Sequence, residues 1–402
     1  MDKYLILRDT NSGLRQGQPF SATASVSATG GAVSMIPPNP SLDVADLTEA
    51  EAKDLTRSSE VVDIARAIPT RLIEPHTRSE AAAASTGAPT WGIDRVGAST
   101  SSFDGAGVPV AVLDTGIDNT HPAFTGVDLV EKDFSGNGNG DVNGHGTHCA
   151  GTVFGRDVDG TRIGVARGVT RAFIGKVLGD DGSGSSAMMF QGMDWAFGMG
   201  ARVISMSVGF DFPGLAARLQ QEFGFSPKLA TSVALEGYRQ NLRIFDSTLQ
   251  LYRDKADMTG GTVIVGAAGN ESEREKGPEH EVSVSLPAAA KGMISVGAFA
   301  QDAGGLLSVA DFSNTGPVLG GPGVDVVSAK TGGGLVSFNG TSMATPHVAG
   351  LAALWWQSLS SQPVPLSHEL VAAQLMASAR SDVFSAATDI SDRGLGLAQA
   401  PQ

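Results

Sequence analysis

The stretch NGTSMATPHVAG, residues 339–350, places Ser342 at the head of a small and apolar run that continues through Leu351, Leu354 and Trp355. This run predicts a helix whose first turn holds the serine. A helix dipole favours negative charge at its N-terminus, and the free backbone N–H groups there can bind an anion. The serine is therefore placed to serve a reaction that develops an oxyanion, although the pattern also fits an ordinary N-cap serine.

An aspartate far upstream follows an apolar run. Asp114 comes directly after Val110–Leu113 and is followed by Thr115 and Gly116. Catalytic groups gather at the carboxyl ends of strands in open α/β sheets, so Asp114 is a candidate, although a lone aspartate there also fits a turn or cap. Asp118 competes for the role, but it lies past the strand end and Asp114 is preferred.

A histidine lies between two glycines in NGHGTHCAGT, residues 143–152. The glycines beside His145 leave room for another group to approach its ring, and the small residues that follow predict a helix packed closely on a sheet. His145 and His148 could instead be two metal ligands. No third ligand lies nearby, and a His-x-x-His pair alone is a weak indication of a metal site.

Taken together, the three motifs are a much more specific signal than any one of them alone. Aspartate, histidine and serine follow one another in one of the chain orders used by unrelated Ser-His-Asp proteases. The segments DTGID (114–118), GHGTHCAGT (144–152) and NGTSMATPHVAG (339–350) closely resemble the three active-site motifs of the subtilase family. The resemblance covers about residues 90–400.

This resemblance implies a subtilisin-like three-layer α/β fold with a mostly parallel central sheet. It also implies a serine endopeptidase with a triad of Asp114, His145 and Ser342, acting on protein or peptide substrates through an acyl-enzyme. Asn270 matches the side-chain donor of the family's oxyanion hole, joined by the Ser342 backbone N–H. No cofactor is required in this mechanism.

Further positions match the family's substrate cleft, where substrate adds as a β-strand through main-chain hydrogen bonds. One wall is expected at Gly182, Ser183 and Gly184, the opposite wall at Ser207, Val208 and Gly209, and the segment before Asn270 at Ala267, Ala268 and Gly269. Leu286-Pro287 matches a family position where a cis peptide is usual.

Four apolar runs bounded by Gly, Pro and Asp alternate with helical stretches: Val108–Leu113, Phe173–Leu178, Val203–Val208 and Thr262–Ala267. Continuous apolar strands separated by helices predict a parallel sheet covered on both faces. This prediction rests on the residues alone and agrees with the fold that the resemblance implies.

A long amphipathic helix is predicted between the last two of these strands. Six residues recur at spacings of three and four, namely Leu235, Tyr238, Leu242, Phe245, Leu249 and Tyr252. This is the pattern of one apolar helix face. A coiled-coil partner helix is one interpretation, and packing against the chain's own sheet is the favoured one.

Residues 1–80 predict a separate small α+β domain that resembles a subtilase propeptide, the family's foldase and intramolecular inhibitor. Residues 81–90 are expected to be a linker and processing region, and 91–402 the catalytic domain, with an insertion at 210–230. Self-cleavage of such a zymogen is expected between about His76 and Thr90. The insertion is expected to rim the substrate cleft and narrow specificity.

The charge and cysteine content of the chain limit its binding partners and its covalent cross-links. The formal net charge is −14, which disfavours nucleic acid and anionic membranes because both attract basic patches. A single cysteine, Cys149, excludes an intrachain disulfide. The N-terminal apolar run is too short for a secretory leader, so a cytoplasmic location is expected, or a secreted one if a leader is missing.

Calcium binding is a weak expectation. Ala123 stands where the resemblance calls for an acidic ligand, and Asp157 and Asp159 are candidates for a structural Ca²⁺ site, although a solvated acidic turn fits them as well. Two alternatives to a general endopeptidase stay open: a narrow processing protease, and a non-catalytic peptide-binding protein on the same fold.

Overall fold

The computed structural model describes residues 2–12, 38–80, 88–385 and 388–402. The strands are β1 Asp2–Asp9, β2 Pro40–Leu47, β3 Val61–Arg66, β4 Pro69–Leu72, β5 Thr77–Glu80, β6 Val110–Asp114, β7 Asp128–Asp133, β8 Arg171–Lys176, β9 Ser183–Ser185, β10 Val203–Met206, β11 Val208–Phe210, β12 Val263–Ala267, β13 Ile294–Gln301, β14 Leu307–Val309, β15 Leu319–Pro322, β16 Val326–Ala329 and β17 Leu335–Asn339. The α-helices are α1 Glu49–Leu55, α2 Trp91–Arg95, α3 His145–Phe154, α4 Ser186–Gly198, α5 Phe212–Phe223, α6 Pro227–Thr259, α7 Thr341–Ser360, α8 His368–Ala377 and α9 Ile390–Arg393. None of the helices in the described part of the chain is long and apolar enough to cross a membrane.

The central sheet has the strand order β14-β13-β12-β10-β6-β8-β7, with β15 beside β13. Every pair is parallel except β13 with β14. The prediction of a mostly parallel sheet is therefore confirmed. The four apolar runs form β6, β8, β10 and β12, and the third run also reaches β11 because the sheet strand ends before Ser207.

Alternate side chains of β6 serve two separate cores. Val110 and Val112 pack in the core that contains α3 and α7, whereas Ala111 and Leu113 pack in the core that contains α4 and α6. Successive side chains of a strand point to opposite faces, so a strand that is apolar at every position needs helices on both faces. The result is the predicted three-layer architecture.

Helix α6 contains the predicted amphipathic pattern and packs on its own sheet. Phe245 is fully buried, with its ring 4.2 Å from that of Phe190 on α4 and 5.9 Å from that of Phe210. The coiled-coil interpretation is not needed for these residues. Towards the N-terminal end of the helix, Leu235 remains 46% exposed, so the apolar face fades beyond the sheet.

The predicted insertion at 210–230 folds into α5 and the start of α6. These two helices form a hairpin around Leu219, Ala230 and Ala234. Ser226 caps α6 by accepting a hydrogen bond from the Leu229 N–H at 3.3 Å. The glycines and prolines of this segment therefore end and begin helices rather than mark an irregular loop.

The N-terminal residues form an antiparallel sheet in the order β2-β1-β3, with α1 beside it. A capping box begins this helix, since Thr48 and Glu51 each accept a backbone hydrogen bond from the other. Leu5 and Leu7 of β1 are buried in the same core as α4 and α6. One face of this small sheet therefore packs on the larger unit.

After β3 the chain runs along the larger unit as residues 69–80, here called the cleft segment. β4 lies between β9 and β11, antiparallel to both, and β5 adds antiparallel to β17. The predicted domain boundary at residue 80 thus lies beyond the point where the chain joins the sheets of the second unit. Most of the predicted linker, 81–87, lies outside the described residues.

Replacing Phe245 by alanine should lower the free energy of unfolding by about 3–5 kcal/mol, because a buried aromatic ring is lost and a cavity remains. Leu235→Ala on the same helix should cost about 0.5 kcal/mol or less, because that site is largely exposed. Urea unfolding of the two variants checks the difference. Equal losses would contradict the assignment of Phe245 to the core.

Candidate active site

Asp114 and His145 meet at the carboxyl edge of the central sheet. Asp114 is the last residue of β6 and His145 the first of α3. The His145 Nδ1 lies 2.7 Å from the Asp114 Oδ1, and both side chains are buried. The carboxylate accepts the Nδ1 proton, which leaves Nε2 as the basic nitrogen. Asp118 binds Thr120 and the Gly332 N–H instead, so it is not the histidine's partner.

Two glycines allow this approach. A Cβ on Gly146 would lie 2.2 Å from the Gly116 carbonyl oxygen and 3.2 Å from the Asp114 Cβ. Gly144, just before the helix, has φ +90°, a conformation that L side chains rarely adopt. The glycines that flank His145 therefore let the helix start come against the loop that follows the aspartate.

A buried aspartate, which the sequence analysis missed, clamps the two loops together. The Asp141 Oδ1 accepts hydrogen bonds from the Thr115 hydroxyl and the Gly144 N–H, both at 2.9 Å. Its Oδ2 accepts from the backbone and hydroxyl of Thr147 at 2.8 and 2.6 Å. The spacing of Asp141 three residues before Gly144 is a local capping pattern, and that was the available signal.

Ser342 lies in the first turn of α7 and is fully buried. Its Oγ donates a hydrogen bond of 2.9 Å to the carbonyl oxygen of Ile73 in the cleft segment. No described residue hydrogen-bonds to the His145 Nε2, which is also buried. The serine hydroxyl is thus bound to the cleft segment, and the basic nitrogen of the histidine is open.

Asn270 follows β12 and faces the same segment. Its side-chain oxygen accepts hydrogen bonds from the Thr341 N–H at 2.9 Å and from the Thr341 hydroxyl at 2.8 Å. These contacts orient the amide nitrogen, which donates to the Glu74 carbonyl oxygen at 2.8 Å. The serine and the asparagine therefore contact consecutive carbonyl groups of the chain.

The predicted walls lie on either side of the cleft segment. Arg71 and Thr70 pair with Ser183 and Gly184 of β9, and the Leu72 N–H donates to the Gly182 carbonyl. On the opposite side, Val208 and Gly209 pair with Leu72 and Arg71, and the Ser207 carbonyl accepts from the Ile73 N–H at 3.3 Å.

The third predicted segment lies deeper. Ala267 pairs with Val296 of β13, and the Ala268 N–H donates to the Val296 carbonyl. The Gly269 N–H donates to the Thr341 hydroxyl at 3.2 Å. These residues therefore position Asn270 and the start of α7. The predicted cis peptide at Leu286-Pro287 is present.

Residues 105–397 match the model of the subtilase family. The chain belongs to the subtilase family. A subtilisin-like protease 6 from Trichophyton rubrum is 36% identical over 275 residues, which is 66% of this chain and 57% of that protein. The protein of the same name from Arthroderma gypseum is 33% identical over 318 residues, covering 77% of this chain and 67% of that protein. The chain thus spans 57% of the length of the Trichophyton relative.

One cluster in this subtilase has the residue types of a metal site. Among the described residues, Asp114, His145 and Cys149 bring three ligand atoms within 4.8 Å of one another. The first two bind each other, and the Cys149 thiol donates to the Ser342 carbonyl at 3.3 Å. Burial, together with the Asp114 carboxylate, raises the thiol's pKa well above its usual value. A thiol that stays protonated is a poor ligand.

The other predicted metal sites are also occupied by protein contacts. His148 turns away from His145, with its Nε2 3.0 Å from the Val326 carbonyl oxygen and its ring stacked on Phe338. The Asp157 carboxylate lies 3.3 Å from the Arg167 guanidinium. An arginine supplies there the charge that a calcium ion would bring. Asp157 therefore has a cationic partner within the chain, and calcium binding at Asp157 and Asp159 stays a prediction.

Two buried histidines of this subtilase should make its stability depend on pH. Burial, with the nearby His145, lowers the pKa of His148 to about 3, and burial lowers the pKa of His347 to about 4. Unfolding returns both rings to an ordinary pKa of about 6.5. Between these values the unfolded chain binds more protons, so stability is present above pH 6.5 and is lost as the pH falls.

We expect the free energy of unfolding to fall by about 1.4 kcal/mol for each histidine between pH 7.5 and 5.5. Urea unfolding of the Ser342→Ala protein at the two pH values measures the change. His148→Gln should remove about half of it, whereas His280→Gln, at an exposed site, should leave it in place. Equal stability at both pH values would refute the assignment.

Proposed function

We propose that the chain is a serine endopeptidase, made as a zymogen, whose triad is Asp114, His145 and Ser342. The observation that carries the proposal is the position of Ile73. Its carbonyl oxygen lies 2.9 Å from the Ser342 Oγ, while the strand before it pairs with both cleft walls. A peptide held in this way presents one bond to the nucleophile, as a substrate does.

The chemistry of the proposed reaction uses groups of the chain itself. The Ser342 hydroxyl turns from the Ile73 carbonyl to the His145 Nε2, which takes its proton as the oxygen attacks the carbonyl carbon. Asp114 fixes the histidine tautomer and stabilises the imidazolium. The Asn270 amide moves from the Glu74 carbonyl, which it contacts in the intact chain, to that of Ile73. There it stabilises the oxyanion together with the Ser342 N–H, which is available because first-turn N–H groups have no partner within the helix.

The second half of the reaction releases the products. The imidazolium of His145 gives its proton to the leaving amine as the peptide bond breaks. Water then attacks the acyl-enzyme, with His145 accepting its proton, and the carboxylic acid leaves as Ser342 is regenerated. No metal ion or cofactor takes part.

The same contacts support the N-terminal residues as an intramolecular inhibitor. β4 fills the space between β9 and β11, which is where a substrate strand would add. We place self-cleavage at the Ile73–Glu74 bond, because Ile73 is the buried residue that directly follows this strand and touches Ser342. That is earlier than the interval from His76 to Thr90 expected from the sequence.

Intact mass followed over time tests self-cleavage. Wild-type protein should lose residues 1–73 and expose Glu74 as a new N-terminus, which terminal sequencing would identify. Ser342→Ala should stay at full length, because it lacks the nucleophile. Ser361→Ala, at the exposed end of the same helix, should process like wild type. A cut between residues 76 and 90 would refute the proposed bond, and full-length wild type would count against the zymogen.

Removing the asparagine tests the oxyanion hole. Asn270→Ala should lower kcat on a peptide substrate by roughly 10²–10³ with little change in KM, because the donor acts chiefly in the transition state. Steady-state kinetics against wild type separates the two constants. A rise in KM with kcat unchanged would instead mark Asn270 as a residue that only binds substrate.

A narrow processing role is the second candidate, favoured by the α5–α6 hairpin. Phe212, Pro213, Leu235 and Tyr238 from this hairpin line a cavity of about 350 Å³ beside Arg71 of the cleft segment. A general degrader should cut casein, whereas a narrow enzyme should leave it intact. A protein that only binds peptides would cleave neither casein nor its own cleft segment.

A further inference from the structure

We propose that Asp211 and Glu271 form an acidic pair that selects a basic side chain at the third residue before the scissile bond. This inference rests on the proposed function, since it takes the cleft segment as a model of bound substrate. Arg71 holds that position. Its Nη1 lies 3.8 Å from the Asp211 Oδ1, and its Nη2 lies 3.8 Å from the Glu271 Oε1.

The strand geometry directs the Arg71 side chain towards the open side of the cleft. Thr70 and Leu72 are each only 2% exposed, whereas the Arg71 side chain is 53% exposed. Side chains of a strand alternate between its faces. The two substrate side chains next to this position therefore point into the protein and are recognised through their burial. The Arg71 side chain therefore lies at the open side of the cleft, where selection depends on charge at the rim.

Both carboxylates are held in place by other contacts. Asp211 caps α5, with its Oδ1 accepting from the Gly214 N–H at 3.0 Å. The Glu271 Oε2 accepts from the Asn314 amide at 2.7 Å, which leaves Oε1 directed to the arginine. The two acids come from loops after different strands. A pair fixed in this way does not have to be ordered when a substrate binds.

The cavity beside the pair suits a long side chain. Arg71 lines it together with Phe212 and Tyr238, so the aliphatic stem of an arginine or lysine can lie on apolar surface while its charge stays at the rim. An acidic residue at this substrate position would face two carboxylates. The pair therefore both favours basic substrates and disfavours acidic ones.

The first test uses quenched fluorescent peptides with the sequence of residues 69–76, PTRLIEPH, and self-processed full-chain protein. The peptide with arginine at the third position should have a kcat/KM about threefold to tenfold above that of the peptide with citrulline, its uncharged analogue. The expected ratio of the two kcat/KM values is modest because the contacts between Arg71 and the two acids are half-exposed. The preference should shrink at high salt.

Matched variants test whether the two carboxylates cause this preference. Asp211→Asn with Glu271→Gln should abolish the difference between the two peptides, because the amides keep the shapes and the cap but lose the charge. Glu222→Gln, at an exposed site near the end of α5, should preserve it. Equal cleavage of both peptides by wild type, or a preference that survives the double substitution, would overturn the proposal.

A second measurement does not need catalysis. In the Ser342→Ala full chain, amide hydrogen exchange of residues 70–73 should be about threefold to tenfold faster when both acids are neutralised, and unchanged with Glu222→Gln. Unchanged exchange in the double variant would refute the acidic pair even if no peptide is cut. Failure to cleave any peptide, with faster exchange, would refute the proposed function and keep the pair.

Discussion

The site depends on a hydrogen bond of 2.7 Å between Asp114 and His145, buried on all sides. A carboxylate away from water is costly unless hydrogen bonds satisfy it. Here the Thr115 N–H donates at 2.8 Å to the same carboxylate oxygen that binds the histidine, while no described residue hydrogen-bonds to the Asp114 Oδ2. Asp141 ties together the two loops that carry the pair. These contacts fix the position of the histidine over the sheet edge. In the proposed mechanism they therefore also fix where the histidine accepts the Ser342 proton.

Much of the fold follows from local patterns. Runs such as Val110–Leu113 are apolar at every position, and only a strand covered on both faces accommodates that, so the parallel sheet was predictable. The three motifs predicted the candidate site because each joins a reactive residue to glycines or a helix start. Asp141 was missed because its role depends on contacts between two loops, which no single motif contains.

The cleft segment was also beyond the reach of the sequence. Nothing in its local sequence indicates that the partners of β4 are β9 and β11, more than a hundred residues away. The position of Ile73 at Ser342 is a matter of register, and register is set by pairing across the cleft. The helices of the insertion were obscured in the same way, since Pro213 and Pro227 lie at helix starts, where proline is well tolerated.

The covalent continuity of the cleft segment has a thermodynamic consequence. While the chain is intact, β4 and its walls belong to one molecule, and occupancy of the cleft is set by an effective concentration that dilution cannot change. If the bond after Ile73 is cut as proposed, the N-terminal sheet becomes a separate ligand, held by the apolar face of β1 and by β4. Its occupancy then depends on total protein concentration, so the same contacts hold the cleft shut in a crowded solution and release it in a dilute one.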